Sequence, residues 1–126
     1  MEQPIDYNIN LDVKFAPKKR IDIDELVRAC TDQWFNQTLT QVNDSVVRLG
    51  IVHGEFYWHK HDNDDEFFYV VSGRLNIELQ DRTIELGPNQ GVTIPKGEMH
   101  KPVAPERTVI LMVETSAVQP TGDVDV

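Results

Sequence analysis

Apolar and polar residues alternate with a period of two along most of the chain after residue 34. The stretch 75–79 shows this most clearly, since Leu75, Ile77 and Leu79 alternate with polar residues. Such alternation predicts a β-strand with one buried face. Strands are predicted in the same way over residues 35–42, 45–53, 55–61, 66–72, 75–79, 84–86, 92–95, 99–103 and 108–114. Short strands separated by Gly, Pro and Asn turns are typical of an all-β sandwich or barrel.

A helical period occurs only near the N-terminus. Apolar residues from Ile23 to Trp34 recur at the spacing of one helix face, and Asp22 and Glu25 have the spacing of a capping box. The pattern predicts one short amphipathic helix over residues 22–32, which would pack on the barrel through its apolar face.

One predicted strand is apolar on both faces. In the stretch 66–72, Phe68 and Val70 would occupy one face, and Phe67, Tyr69 and Val71 the other. A strand of this kind must be covered on both sides. We therefore expect either the N-terminal segment or a second subunit to cover its outer face, and we predict a homodimer.

A hairpin is predicted between two of these strands. Asp81 and Arg82 would form a two-residue turn, after which Ile84 resumes the apolar pattern. In a two-residue hairpin with this register, Leu79 and Ile84 lie on the same face of the sheet.

Composition narrows the range of partners and compartments. The formal net charge is −9 and the isoelectric point is about 4.7, which disfavours nucleic acid and anionic membranes as partners. Cys30 is the only cysteine, so no intramolecular disulfide can form, as suits a reducing compartment. The first residues lack the features of a signal peptide, and no apolar run reaches the roughly 20 residues of a membrane span. We predict a cytoplasmic protein without a membrane partner.

The candidate chemistry lies in a group of histidines and a glutamate. His59 and His61 are two residues apart, so on a strand both side chains project from the same face. The Asp- and Asn-rich turn at residues 62–65 allows Glu66 to return beside them, and His100 follows further along the chain. Imidazole nitrogens with one carboxylate oxygen suit a divalent transition metal (Fe, Mn, Ni, Zn, Co or Cu). We predict a mononuclear metal site.

Three further residues are candidates for the lining of a pocket at this metal. Tyr57 has the same strand parity as His59, so it could line the pocket, act as an acid or base, or simply pack in the core. Phe68 and Met112 are predicted to form apolar walls of the cavity.

Other residues near the histidines have weaker claims. His53 would share the face of His59 only if Gly54, which we expect to interrupt the strand, does not form a bulge. Phe56 and Trp58 are expected to point away from the metal, into the core or an interface.

Two spaced motifs carry a resemblance to a known family. The pattern Gly-(x)5-His-x-His-(x)3–4-Glu-(x)6-Gly is matched by His59, His61, Glu66 and Gly73. The pattern Gly-(x)5-Pro-x-Gly-(x)2-His-(x)3-Asn is matched by Pro95, Gly97 and His100. These motifs resemble those of the cupin superfamily, in particular its small single-domain type, cupin 2, similar to mannose-6-phosphate isomerase-like proteins. Gly54 stands one residue closer to the first histidine than the pattern asks, Ala104 replaces the closing Asn, and Asn89 occupies the first Gly position of the second motif.

The resemblance implies a fold and a ligand set. The fold would be a cupin-type double-stranded β-helix, or jelly-roll barrel, over residues 45–115. An arm with one short helix and a first strand (residues 1–44) would pack on it, and residues 116–126 would form a flexible tail. The metal ligands would be His59, His61, Glu66 and His100, and proteins of this kind commonly form dimers.

The function implied is metal-dependent action on a small organic molecule. A dioxygenase needs a redox-active metal and an apolar pocket, which Phe68, Met112 and Tyr57 would favour. The alternatives are an isomerase or epimerase, a lyase, or a non-catalytic module that binds or senses a small ligand, because one fold supports many chemistries.

Overall fold

The computed structural model describes residues 5–123 of the 126-residue chain. Predictions for residues 1–4 and 124–126 lie outside this described part. Its elements are β1 (Tyr7–Asn10), α1 (Ile23–Ala29), β2 (Trp34–Val42), β3 (Ser45–Glu55), β4 (Glu66–Ser72), β5 (Leu75–Glu78), β6 (Thr83–Leu86), β7 (Gly91–Ile94) and β8 (Lys101–Thr115). The predicted all-β jelly-roll barrel with one short N-terminal helix is confirmed.

The longest strand, β8, connects the two halves of the barrel. Along one edge it pairs antiparallel with β3, from Glu55 opposite Val103 to Ser45 opposite Thr115. Along its other edge it pairs with β4 and with β5. β7 extends the sheet from β4, β6 extends it from β5, and β2 and then the parallel β1 extend it from β3. The position of every other strand is therefore set directly or indirectly by β8.

The buried apolar residues form two clusters on opposite faces of the sheet. The inner cluster fills the barrel and includes Phe56, Phe68 and Met112. The outer cluster is built on Leu49 and Ile51 of β3 and is covered by the N-terminal segment, whose contributing residues are Phe15, Ile21, Ile23, Leu26, Val27 and Cys30. Val71 of β4 also packs in this outer cluster, so the N-terminal segment covers part of the outer face of the strand that was predicted to be apolar on both sides.

The helix is shorter than predicted. It begins at Ile23 and ends at Ala29, because Cys30 adopts an extended conformation (φ −96°, ψ 126°). The predicted cap is present, since the Asp22 carboxylate accepts a hydrogen bond from the Glu25 backbone N–H at 3.1 Å. No helix within residues 5–123 has the length and apolar character needed to cross a membrane.

The predicted turn of the β5–β6 hairpin is wrong by one residue. Ile84 pairs with Ile77 instead of Leu79, and the Leu79 backbone N–H donates to the Arg82 carbonyl at 2.7 Å. The turn therefore lies at Gln80 and Asp81. Moving the turn by one residue changes each cross-strand partner by two residues, so Ile84 faces Ile77 and not Leu79. Every side chain stays on the same face of the sheet, and alternation alone could not detect the change.

Two predicted breaks, at Gly54 and at residues 104–107, lie at one bulge between continuous strands. Gly54 does not end β3 but adopts a positive φ of 119°, and the register with β8 shifts between Val52 and Gly54. Residues 104–107, which were predicted to form a loop, belong to β8. The extra residues of β8 are accommodated by this bulge, and His53 beside it is solvent-exposed.

The segment 116–123 packs on the barrel, whereas the sequence predicted a loosely held tail from Ser116. Val118 is 2% exposed, and its carbonyl accepts a hydrogen bond from the buried Arg48 guanidinium at 2.6 Å. The Asp123 carboxylate accepts a hydrogen bond from the Asp62 backbone N–H at 2.6 Å. This C-terminal segment therefore forms part of the folded domain.

Two glycines with positive φ offer a matched test of packing against backbone strain. At Gly73 (φ 90°) an added Cβ would lie 2.5 Å from Thr108 Oγ1 and 2.8 Å from the Arg107 carbonyl oxygen, whereas at Gly97 (φ 80°) it would meet nothing within 4 Å. We expect Gly97→Ala to lower the free energy of unfolding by about 1–2 kcal/mol through strain alone. Gly73→Ala should lower it by about a further 1–3 kcal/mol through overpacking.

Urea denaturation of the two metal-free variants measures this difference. Equal losses would contradict the close approach of the β4–β5 turn to β8.

Candidate metal centre

Two of the candidate ligands are joined through their backbones. The His59 N–H donates to the His100 carbonyl at 3.0 Å, and the His100 N–H donates to the His59 carbonyl at 2.9 Å. The two residues form an isolated antiparallel bridge, and their ring centroids lie 4.3 Å apart. This bridge fixes two imidazoles side by side although they are distant in the sequence.

The other two ligands approach from the turn and from β4. The His61 carbonyl accepts a hydrogen bond from the Gly97 N–H at 2.8 Å, and Glu66 begins β4 opposite Ile94. Glu66 Oε1 lies 3.4 Å from His61 Nε2 and 3.7 Å from His100 Nε2. One ligand atom from each of the four residues lies within 4.8 Å of the others, and all four residues are buried.

Backbone carbonyls orient two of the imidazoles. His59 Nδ1 bonds to the Tyr57 carbonyl and His100 Nδ1 to the Glu98 carbonyl, each at 2.9 Å. A carbonyl can only accept, so each Nδ1 carries the proton and each Nε2 keeps its lone pair. Such support of a ligand's second nitrogen is typical of metal-binding histidines.

The donor atoms fit a metal better than they fit one another. His61 Nδ1 and Nε2, Glu66 Oε1 and His100 Nε2 are buried without a hydrogen-bond partner. The 3.4 and 3.7 Å separations suit ligands bound at about 2.1 Å to a shared ion, which lie about 3.0–4.2 Å apart. Buried polar atoms normally have partners, so the unsatisfied set marks a position for a cation.

Burial sets the protonation of two of these groups. It lowers the pKa of His59 to about 4, and His100 beside it acts in the same direction, so at neutral pH this imidazole is in the form that binds metal. Burial alone would raise the pKa of Glu66, but the His100 and His61 rings that face its carboxylate outweigh this effect, and the pKa lies below its ordinary value. The cluster therefore offers a neutral imidazole and an ionised carboxylate.

A buried pair of ionisable side chains, Arg48 and Glu114, stands behind Glu66 and was not predicted from the sequence. The Arg48 guanidinium lies 3.3 Å from the Glu114 carboxyl, and the side chains are each 1% exposed. Arg48 also donates to Thr38 Oγ1 at 3.1 Å and to the carbonyls of Val118 and Ser116 at 2.6 and 3.2 Å. A charged residue within the apolar stretch 46–52 was the available sequence signal, since Arg rarely lies on a buried strand without a partner.

Glu114 links this pair to the candidate ligands. Burial raises the pKa of Glu114, and the adjoining Glu66 carboxylate, to which it hydrogen-bonds, raises it further. Two carboxylates in contact do not both ionise readily. Glu114 therefore stays protonated and donates a hydrogen bond to the ionised Glu66. The 3.3 Å separation from Arg48 is longer than a charge-assisted hydrogen bond, which agrees with a neutral Glu114.

The C-terminal segment closes the site. Gly122 (φ 87°) packs so closely on His59 that an added Cβ would lie 2.7 Å from the Cβ of that histidine. Pro120 lines the cavity that also contains His59 and Glu66. The cavity has a volume of about 30 Å³, which holds about one or two groups the size of water.

The three predicted pocket residues have different positions. Phe68 and Met112 line this cavity together with His59 and Glu66. Tyr57 is half-buried and lines a neighbouring cavity of about 600 Å³. Its backbone carbonyl accepts the hydrogen bond from Nδ1 of the candidate ligand His59.

The aromatic residues on either side of Tyr57, Phe56 and Trp58, differ in their position relative to the site. Phe56 does not point away from the site, as was predicted: it lines the cavity, and its ring meets that of His59 at 5.1 Å in an edge-on arrangement. The irregular chain after Glu55 breaks the strict alternation on which that prediction depended. Trp58, in contrast, is 39% exposed.

Substitution of Glu114 tests the network behind the ligands. Glu114→Gln should keep a donor for Glu66 and an acceptor for Arg48, so we expect the free energy of unfolding to change by no more than about 1 kcal/mol. Glu114→Leu removes both and leaves buried charges unmatched, so we expect a loss of about 3–5 kcal/mol.

Urea denaturation of both variants measures these changes. Equal stability of the Leu and Gln variants would contradict a hydrogen-bonded network.

Comparison with known proteins agrees with the geometry of the fold. A protein from Bacillus subtilis (strain 168), the uncharacterized protein YdbB, is 42% identical over 80 residues, which cover 63% of this chain and 71% of that protein. The crystal structure of a cupin-2 domain containing protein from Shewanella frigidimarina matches with 35% identity and a TM-score of 0.72, covering 75% of this chain and 93% of the other.

A more distant structure supports the fold alone. An uncharacterized conserved protein with a double-stranded β-helix domain from Klebsiella pneumoniae matches with 21% identity and a TM-score of 0.66, over 79% of this chain and 86% of the other. The family model for the cupin domain matches residues 46–114, more than half of the chain and the segment that contains all four candidate ligands. The protein belongs to the cupin family.

Proposed function

We propose that the protein binds one divalent transition metal through His59, His61, Glu66 and His100 and uses it to act on a small organic molecule. The observation that carries the proposal is the convergence of four buried ligand atoms within 4.8 Å of one another, most of them without any other partner. Mutual hydrogen bonds are a weaker account, because the 3.4 and 3.7 Å contacts of Glu66 Oε1 are too long.

The residues of the chain define what such a centre could do. Three neutral imidazoles and one carboxylate would leave a divalent ion with a net positive charge, and four ligands leave positions free on a six-coordinate ion. When bound, the metal would supply Lewis acidity or activation of O₂. The hydrogen bonds of His59 and His100 to backbone carbonyls would hold the ligands in place, and the segment with Pro120 and Gly122 would exclude water.

Among reaction classes, we favour oxidation of the dioxygenase type. The cavity beside the candidate ligands has mainly apolar walls, among them Phe56, Phe68, Ile110 and Met112, and such a lining suits O₂ and an apolar substrate. An isomerase, epimerase or lyase would need a proton-transferring group beside the metal. Tyr57, our proposed acid or base, lies in the neighbouring cavity behind Phe56, so it would serve only a ligand that reaches both cavities.

Metal content tests the proposal directly. We expect about one equivalent of transition metal in the purified protein and its loss in His59→Ala and His100→Ala, because a divalent ion is held weakly once one of four ligands is removed. His53→Ala is the matched control, since His53 is the exposed histidine outside the cluster. It should keep the metal. Elemental analysis gives the content, and circular dichroism checks the fold of each variant.

The outcomes separate the claims. Full metal content in both ligand variants would overturn the site. Redox-inert zinc as the native metal, together with no oxygen uptake on a panel of phenolic substrates, would exclude the dioxygenase reaction but leave the metal site in place.

We further propose a homodimer formed through the outer face of β4 and β8. Phe67 and Tyr69 of β4 are half-buried there, and Val113, which pairs with Phe67, is 37% exposed. An apolar outer face of this kind is suited to a partner subunit. We also expect a cytoplasmic location, as predicted from the sequence. We expect no nucleic-acid partner, because the net charge of −9 repels polyanions.

Sedimentation velocity tests the dimer. We expect a species of twice the 14.5 kDa chain mass, which Val113→Glu should convert to monomer by placing a charge in the interface. Val42→Glu is the control, because Val42 is 58% exposed at the end of β2 and should leave the dimer intact. A monomeric wild-type protein at micromolar concentration would refute the interface.

A further inference from the structure

Two polar side chains enter the metal cavity from strands outside the matched cupin segment. Tyr7 lies on β1 and Asn36 on β2, whereas the family model covers residues 46–114. Both line the same cavity as His59 and Glu66. They are therefore polar groups that the N-terminal arm adds to a largely apolar chamber.

Asn36 has an acceptor atom without a partner. The residue is 1% exposed, and its Nδ2 donates to the Tyr7 hydroxyl oxygen at 3.3 Å. Its Oδ1 is buried and has no hydrogen bond. Because a buried acceptor without a donor is unfavourable, this oxygen indicates a place for an O–H or N–H group of a ligand.

Tyr7 provides the complementary donor. Its hydroxyl oxygen accepts from Asn36, so its own proton is directed elsewhere, and no acceptor for it is found among residues 5–123. Burial raises the pKa of Tyr7 to about 12, which keeps the hydroxyl neutral. Ring contacts with Phe56 at 5.7 Å and Trp34 at 5.9 Å hold it in position.

We infer that Tyr7 and Asn36 form a two-point subsite for an uncharged hydroxyl group on a small organic ligand. The ligand O–H donates to Asn36 Oδ1, and the same oxygen accepts from the Tyr7 hydroxyl. A carboxylate is disfavoured, because Asn36 Oδ1 would face a second negative oxygen. The inference deepens the proposed function, since it concerns the ligand that lies beside the proposed metal.

The size of the cavity limits the part of the ligand that the Tyr7–Asn36 subsite can hold. About 30 Å³ admits a hydroxyl and little more, so the rest of the ligand must displace part of the lining. Water has the same hydrogen-bonding chemistry as an alcohol, and the experiment must distinguish the two.

Ethanol and acetonitrile form a matched pair of probes, because they have equal numbers of heavy atoms but only ethanol can donate a hydrogen bond. Each is titrated into the zinc-loaded protein while the side-chain amide signals of Asn36 are followed by NMR. We expect ethanol to shift these signals. Asn36→Leu should weaken the binding of ethanol about 2- to 10-fold, as for one lost hydrogen bond, and leave the binding of acetonitrile unchanged. Because this variant has no side-chain amide at position 36, its binding is followed through the backbone amide signals around the cavity.

Tyr7→Phe should weaken the binding of both probes by a similar factor, because both accept from the tyrosine. Asn76→Leu is the control: its Oδ1 is also buried without a partner, but Asn76 does not line the cavity, so binding should stay unchanged. This control also separates the subsite from a general effect of removing a buried amide.

The outcomes are decisive in both directions. No response to ethanol means that Tyr7 and Asn36 hold only water. Tighter binding of acetonitrile than of ethanol means that Nδ2 of Asn36, and not Oδ1, faces the cavity. Either result overturns the inference. The titration is repeated on metal-free protein. A wild-type protein that takes up no zinc but responds to ethanol refutes the metal centre and supports the subsite. A protein that binds zinc but does not respond to ethanol refutes the subsite and supports the metal centre.

Discussion

The pair of backbone hydrogen bonds between His59 and His100 is the constraint on which the candidate site depends. The chain leaves the ladder of β3 after Glu55, and between there and β4 this bridge is where it pairs with another segment through two reciprocal backbone hydrogen bonds. Without the bridge, His59 would lose both backbone hydrogen bonds that hold it beside His100. With it, both residues are set against Glu66, because Glu66 begins a strand that β8 and β7 hold on either side.

The interior of the barrel contains several ionisable groups, although charged residue types are rarely fully buried. Three histidines, two glutamates, an arginine and a tyrosine lie among apolar residues. Their arrangement limits the number of charges, since Glu114 keeps its proton beside Glu66 and the pKa of His59 is lowered. Carbonyls of the C-terminal segment accept hydrogen bonds from the buried Arg48 guanidinium. Ligand set, charge network and C-terminal segment are therefore one connected structure.

The sequence predicted the fold class from strand alternation, and it predicted the four candidate ligands from the spacing within two separate motifs. Strand alternation places His59 and His61 on one face, and the paired motifs connect them with Glu66 and His100. The hairpin turn at Gln80 and Asp81 was misplaced because a pairing shift of two residues leaves every side chain on its face.

Other features depend on contacts between distant parts of the chain. Arg48 meets Glu114 only when β3 and β8 lie side by side, and Tyr7 meets Asn36 only through the parallel pairing of β1 with β2. The bulge in β8 could not be distinguished from a loop, since residues 104–107 include a proline and two charged residues. No periodicity within one strand contains this information.

The packing of Gly122 on His59 also orders events in time. A ribosome releases the ligand residues 59–100 before it releases residues 116–123, so during synthesis the histidines and Glu66 exist for a period without their cover. A metal bound as proposed above could enter from solvent before this segment packs on His59. Exchange of the proposed metal in the folded domain would require the C-terminal segment to detach from Arg48 and His59.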